Sequence, residues 1–167
     1  MKLPLIARLA AVAAVAAGTL VVAPSTADAS AIHPDGYPFP YLCTSESSSD
    51  YHFTPGSEIS TGTAVCMETT DDYLTYELVN QSDGNLVIYS EGGQAIWASN
   101  TDVQATTIGV MEFNGNFEVV RSTGPELWST NTAVHTDAYI CFQRDGNFVV
   151  YAAGGSCSGT ALWASGT

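Results

Sequence analysis

Positive charge is nearly missing from this sequence. Its 167 residues include four Lys and Arg against 17 Asp and Glu, a formal net charge of −13. A chain so acidic repels phosphate backbones and anionic lipid headgroups, which excludes nucleic acid as a partner and sets aside membrane surfaces. Long apolar runs are equally scarce. The one present, Leu9 to Ala23, follows Lys2 and Arg8 and precedes the small-x-small triplet Ala27-Asp28-Ala29. Residues 1–29 therefore read as a secretory signal peptide cleaved before Ser30, too short and wrongly flanked for an anchor. The expected mature protein is secreted, extracellular and free of membrane insertion. It keeps about 138 residues, enough for one domain with a real core. Because Lys2, Arg8 and Asp28 leave with the signal, it is one unit more negative than the whole chain, with Arg121 and Arg144 as its remaining basic side chains.

Cysteine is sparse too. Cys43, Cys66, Cys141 and Cys157 form no C-x-x-C, and His33, His52 and His135 stand at no ligand spacing, so no metal site is expected. An even count in an exported chain favours two disulfides. Three pairings are open, and the sequential one, Cys43–Cys66 with Cys141–Cys157, is preferred. The histidines read as solvated loop residues. No helical periodicity follows the signal peptide. The acids are scattered and mark no carboxylate pair of the kind glycoside hydrolysis needs, so neither catalysis nor a cofactor is expected.

What the chain does have is a repeat. "QSDGNLVIY", Gln81 to Tyr89, returns as "QRDGNFVVY", Gln143 to Tyr151, and in worn form as "EFNGNFEVV", Glu112 to Val120. Asn85, Asn116 and Asn147 are spaced by 31 and 31. Each copy precedes a tryptophan element, at Trp97, Trp128 and Trp163, spaced by 31 and 35. The third interval holds four extra residues, Cys157 among the inserted stretch; a bond from Cys141 would pin that longer loop to its own repeat. Val, Ile, Phe, Tyr and Thr dominate each unit, with Gly, Asn, Asp and Ser at the breaks, so each reads as strands. Residues 30–56, rich in Pro and Ser, read as an irregular arm, and regular structure is expected to resume at Ser57.

Loop length decides which side chains share a face. A three-residue loop, Ser82-Asp83-Gly84, gives Gly84 the backbone conformation that glycine tolerates best. Gln81 then opposes Asn85, and Val79 opposes Val87. Directly opposed residues point the same way. Gln81, Asn85, Val87 and Tyr89 fall on one face, and Leu78, Leu86 and Ile88 on the other. The third copy likewise pairs Phe142 with Phe148 and Ile140 with Val150, and the middle copy pairs Met111 with Phe117. A lone hairpin cannot bury such a face; three related sheets around an axis can. One tryptophan per repeat at a matching place suits that shared interior better than a sugar-stacking role.

With five fixed residues in nine, twice, in a three-fold repeat, these stretches resemble the Gln-x-Asp-x-Asn-x-Val-x-Tyr motif of the bulb-type (monocot mannose-binding) lectins. The tryptophan tails, "WASNT", "WSTNT" and "WASGT", are similar to that family as well. The resemblance spans 57–167. It implies an all-β fold, a type II β-prism of three four-stranded antiparallel sheets with approximate three-fold symmetry. It also implies a mannose-binding, non-catalytic lectin, with a homodimer made by exchange of the C-terminal strand open to it. Asp83 and Asn85 would hold the axial 2-hydroxyl, Gln81 the 3-hydroxyl and Tyr89 the 4-hydroxyl, with Val87 against the sugar carbons. Gln143, Asp145, Asn147, Val149 and Tyr151 would repeat the arrangement. Amides and a phenol donate and accept, while a carboxylate accepts with added strength, which suits a hexose. In the middle copy Glu112, Asn114, Glu118 and Val120 replace Gln, Asp, Val and Tyr; Asn116 alone persists, so this site is expected to be degenerate. The alternative is the same scaffold used as a protein-interaction, toxin or inhibitor module. Asn80-Gln81-Ser82 matches the N-glycosylation sequon and reads as coincidental, since a glycan there would block the site.

Overall fold

The computed structural model describes residues 43–68 and 74–167. The expected signal peptide and the first part of the arm lie outside them. Among the described residues thirteen strands follow one another: β1 (Ser45–Ser47), β2 (Tyr51–Phe53), β3 (Glu58–Ser60), β4 (Ala64–Glu68), β5 (Leu74–Asn80), β6 (Leu86–Ser90), β7 (Gln94–Ala98), β8 (Thr107–Met111), β9 (Phe117–Arg121), β10 (Glu126–Ser129), β11 (Tyr139–Phe142), β12 (Phe148–Tyr151) and β13 (Ala161–Ala164). Each repeat supplies three antiparallel strands. The fourth strand of every sheet comes from the segment before the repeats, which visits all three sheets in turn: β2 completes β11–β12–β13, β3 completes β8–β9–β10, and β4 completes β5–β6–β7.

The arm therefore needs correcting. Within 30–56, read as irregular, β1 and β2 are strands. β1 runs parallel to β4 and adds a fifth strand to the first of the three four-stranded antiparallel sheets. β2 is part of the prism, with Phe53 4% exposed in the core and His52 opposite Cys141. His52 is thus a strand residue rather than a loop residue, though it is exposed as expected; its ring stacks on Tyr139 at 6.0 Å. His135 does lie exposed in a turn.

The hairpin registers are those the turn length requires. Val79 faces Val87, Leu78 faces Ile88, Phe142 faces Phe148, Ile140 faces Val150 and Met111 faces Phe117. Gly84, Gly115 and Gly146 all have φ near +90° (93°, 92° and 84°). The inward faces merge into one core containing Leu78, Leu86, Ile88, Phe117, Phe142 and Phe148, packed edge to face where Phe117 meets Phe148 at 5.1 Å. Trp97, Trp128 and Trp163 close a triangle, with centroids 5.3–5.8 Å apart and planes 72–73° to one another. Edge-to-face contact lets each ring offer its positive rim to a neighbour's negative face. The tryptophans pack against the core, as the repeat spacing implied.

Each hairpin tip also rests on a neighbouring part of the chain, the first two on connecting loops and the third on a strand. A Cβ on Gly84 would collide with Ala105 O at 2.6 Å, one on Gly115 with the His135 carbonyl, and one on Gly146 with the Tyr76 ring at 2.5 Å. The third tip so rests on a strand of the first sheet and closes the ring.

Two disulfides, Cys43–Cys66 and Cys141–Cys157, have the preferred sequential pairing. Both sit on outward faces. The first borders a buried cluster of Ala64, Val79, Val87 and Tyr89, the second one of Tyr139, Val149 and Tyr151.

Candidate ligand site at the hairpin tips

The three tips share a clamp. In each, the second motif position caps the turn: Asp83 Oδ1, Asn114 Oδ1 and Asp145 Oδ1 accept the backbone N–H two residues on, at 3.0, 2.8 and 3.0 Å. The motif asparagine then holds the tryptophan tail. Asn85 Oδ1 accepts from Ser99 Oγ and Thr101 N, both at 3.1 Å. Asn116 Oδ1 accepts from Thr130 Oγ1 and Thr132 N, both at 3.0 Å. Asn147 Oδ1 accepts from Ser165 Oγ at 2.9 Å and Gly166 N at 3.0 Å. The tail's last threonine returns a bond to the turn glycine's carbonyl in every copy. The "W-x-[ST]-x-T" tail and the asparagine are therefore one structural unit, which explains why Asn116 persists where its neighbours have changed.

With Oδ1 occupied, the asparagine's chemistry for a ligand rests on Nδ2, and here the copies part. Asn116 Nδ2 donates to Glu118 Oε1 at 2.9 Å. The valine found at that position in the other two copies accepts nothing, which leaves Asn85 and Asn147 each a donor beside the turn.

The remaining motif residues converge from paired strands. Gln143 Nε2 donates to Tyr151 Oη at 3.1 Å and to Cys157 O at 3.0 Å, so both side chains project from one face and the disulfide-held insert fixes the amide. Gln143 and Asn147 are half-buried and Asp145 is exposed, while Val149 and Tyr151 are 2% and 8% exposed. This tip presents Asn147 Nδ2, Asp145, Gln143 Oε1 and the Tyr151 hydroxyl around a small apolar floor. In the first copy Gln81 Nε2 donates to Tyr89 Oη at 2.5 Å. Gln81, Val87 and Tyr89 are only 2%, 2% and 4% exposed, leaving half-buried Asp83 and Asn85 nearer to water. Burial pushes the Tyr89 phenol up; the Gln81 bond opposes that, and Glu77 and Asp83 add to it. In the middle copy Glu112 and Glu118 are half-buried, Asn114 is exposed, and Val120 stands where the other copies carry tyrosine.

Sequence reasoning missed several participants. Glu77, opposite both Cys66 and Tyr89 on the outward face, is fully buried, and neither oxygen has a hydrogen-bond partner. Desolvation lifts its carboxyl from 4.5 to about 8. An isolated glutamate in an alternating strand signals nothing of this. His52 Nε2 lies 2.9 Å from Cys157 Sγ, and His52, Cys141 and Cys157 cluster as metal ligands would. The two sulfurs are bonded to each other, so the trio carries no thiolate. The sequon is not an acceptor in the folded chain: Asn80 is fully buried, its Nδ2 donating to Ile59 O and Thr107 O and its Oδ1 accepting from Thr107 Oγ1.

No protein-family model matches the chain, and no curated protein sequence matches it. Solved structures do. The chain is similar to the monomeric monocot mannose-binding lectins of Gastrodia elata at 32% identity and a TM-score of 0.55, over 72% of this chain and 98% of that one. It is similar to the mannose-specific agglutinin of snowdrop (Galanthus nivalis) bulbs, solved with methyl-α-D-mannoside, at 28% identity and a TM-score of 0.50, over 71% and 96%. A lectin from Allium sativum matches at 25% identity and a TM-score of 0.52, over 64% and 95%. Fold, repeat, clamp and these likenesses together make the chain a member of the bulb-type, monocot mannose-binding lectin family.

Proposed function

We propose that the protein is a secreted lectin that binds mannose or mannose-containing glycans without turning them over, chiefly at the third hairpin. The observation that carries this reading is the asparagine donor: Asn147 spends its carbonyl on the clamp and keeps Nδ2 beside an exposed carboxylate and the paired Gln143 and Tyr151. Donors and acceptors so placed match vicinal hydroxyls, and Val149 supplies an apolar contact for ring carbons. The snowdrop relative, bound to a mannoside, supports the sugar assignment. The first hairpin has the same residues but buries Gln81 and Tyr89, and we assign it weaker binding. A shallow polar site holds one sugar with a Kd on the order of mM, about −4 kcal/mol, so useful avidity would come from several sites engaging together.

The test is calorimetric titration of methyl mannoside and methyl glucoside into wild type, Tyr89→Phe, Tyr151→Phe and the double variant. Tyr→Phe removes one hydroxyl and leaves the packing. The expected result is mannose over glucose in wild type, most binding lost in Tyr151→Phe, and none left in the double variant. A double variant that binds like wild type, or a multimerised wild type silent on a mannose array, overturns the reading.

A further inference from the structure

The outward faces of the three sheets are not treated alike. Those of the first and third sheets carry buried clusters, each bordered by a disulfide. The middle sheet has no such cover among the described residues. Met111, Phe117 and Val119 point inward, so alternation turns Ile108, Val110, Glu118 and Val120 outward, and all four are half-buried. Ile108 sits opposite Val120, and Val110 opposite Glu118. Glu58 flanks Val110 on β3, and Glu126 flanks Val120 on β10; both are exposed. The result is an aliphatic strip rimmed by carboxylates.

We propose that this face docks a cationic, apolar-backed segment of another protein, with lysine or arginine side chains on the glutamate rim and aliphatic side chains on the Ile108–Val110–Val120 strip. The rim's chemistry decides the class. Carboxylates only accept, and the donors beside them are already engaged, Asn116 Nδ2 by Glu118 and Ser129 Oγ by Glu126. A neutral sugar needs donors and acceptors together, whereas a basic side chain needs acceptors alone. With residues 1–29 cleaved, as the proposed secretion requires, the chain does not supply the occupant itself. Residues 30–56 contain no lysine or arginine, and a second copy would bring its own excess of acids against this rim. Complementary charge steers encounter and sets selectivity, and a small face of this kind suits a transient partner.

The probe is a short capped peptide of alternating lysine and valine, titrated at low salt, with its glutamate–valine counterpart as control. Wild type should bind the basic peptide and not the acidic one. Glu118→Gln with Glu126→Gln should weaken binding by about tenfold, while the exposed pair Glu91→Gln with Asp102→Asn, outside the strip and its rim, should change it by less than about twofold. Ile108→Thr with Val120→Thr, which leaves charge untouched, should weaken it by about fivefold. Thermal melts of each variant confirm that it is folded. Equal losses from the two charge-neutralising pairs would mean general attraction to an acidic protein and would overturn the proposal, as would no binding by folded wild type. A glucosamine oligomer that binds more tightly than the peptide, with the same dependence on Glu118, would overturn the choice of a peptide.

Discussion

Asn116 Nδ2 lies 2.9 Å from Glu118 Oε1, a charge-assisted bond that takes up the group a sugar would need. Converting the middle hairpin to the motif, by Glu112→Gln, Asn114→Asp, Glu118→Val and Val120→Tyr together, should release that donor and restore the phenol. The clamp is already in place at Asn116, so no backbone change is required. Calorimetry with methyl mannoside should show about one additional site of mM affinity. Unchanged stoichiometry in a folded variant would mean that the clamp and five side chains are not sufficient.

The same asparagine should matter for stability where it has no sugar to hold. Asn116→Ala strips the acceptor from Thr130 Oγ1 and Thr132 N at a position 5% exposed. Buried donors left without partners cost about 1–3 kcal/mol each, partly relieved here by the remaining Thr130–Thr132 contact at 2.8 Å. Urea unfolding should register a loss of about 2 kcal/mol or more. It follows that Asn→Ala at Asn85 or Asn147 mixes two effects, and Tyr→Phe is the cleaner probe of binding.

Glu77 should make stability depend on pH. Its carboxyl is raised from 4.5 to about 8 by burial, so between those values the unfolded chain releases a proton that the folded chain retains. The stabilisation is full below pH 4.5, falls steadily as pH rises, and is lost by about pH 8, a swing on the order of 5 kcal/mol from this group. Glu77→Gln, which cannot ionise, should gain on wild type progressively across that window when the two are compared by denaturant melts. Parallel curves for the two proteins would show that Glu77 ionises freely in the fold.

Closure of the ring predicts a long-range sensitivity. Gly146→Ala places a methyl 2.5 Å from the Tyr76 ring at a φ of +84°. Clash and backbone strain together should cost about 2–4 kcal/mol. Tyr76→Ala in the same chain removes the clash but not the strain, so a double-mutant cycle should return a coupling of about 1 kcal/mol or more. Additive losses would show that the third tip does not bear on the first sheet.

Much of this architecture could be read before any coordinates. Turn length and the demand for one apolar side fixed Val79 against Val87 and Phe142 against Phe148, because slipping a strand by one residue would turn its core side to water. The tryptophans' shared interior followed from one tryptophan standing at a matching place in each repeat. β2 was hidden because Tyr51-His52-Phe53 is three residues long and stands among serines and a proline. Its place is dictated by the open edge of β11, some 90 residues away. The asparagine's double role was hidden for a different reason: a repeated polar residue looks the same whether it holds a ligand or its own chain. Glu77 and the Cys157 carbonyl on Gln143 arise from packing that no local pattern encodes.

The route of the early strands bears on how the molecule is assembled. β2 leaves the ribosome before any repeat has been made, yet His52 must pair with Cys141, almost the last strand pair to be completed. β3 and β4 wait in the same way, each for a shorter time. The repeats can curl into hairpins as they appear, but the prism cannot shut until the final unit arrives. Folding should therefore be slow and late rather than stepwise from the N-terminus, and a protein truncated within the third repeat would be left with β2 unpaired and the tip contact on Tyr76 missing.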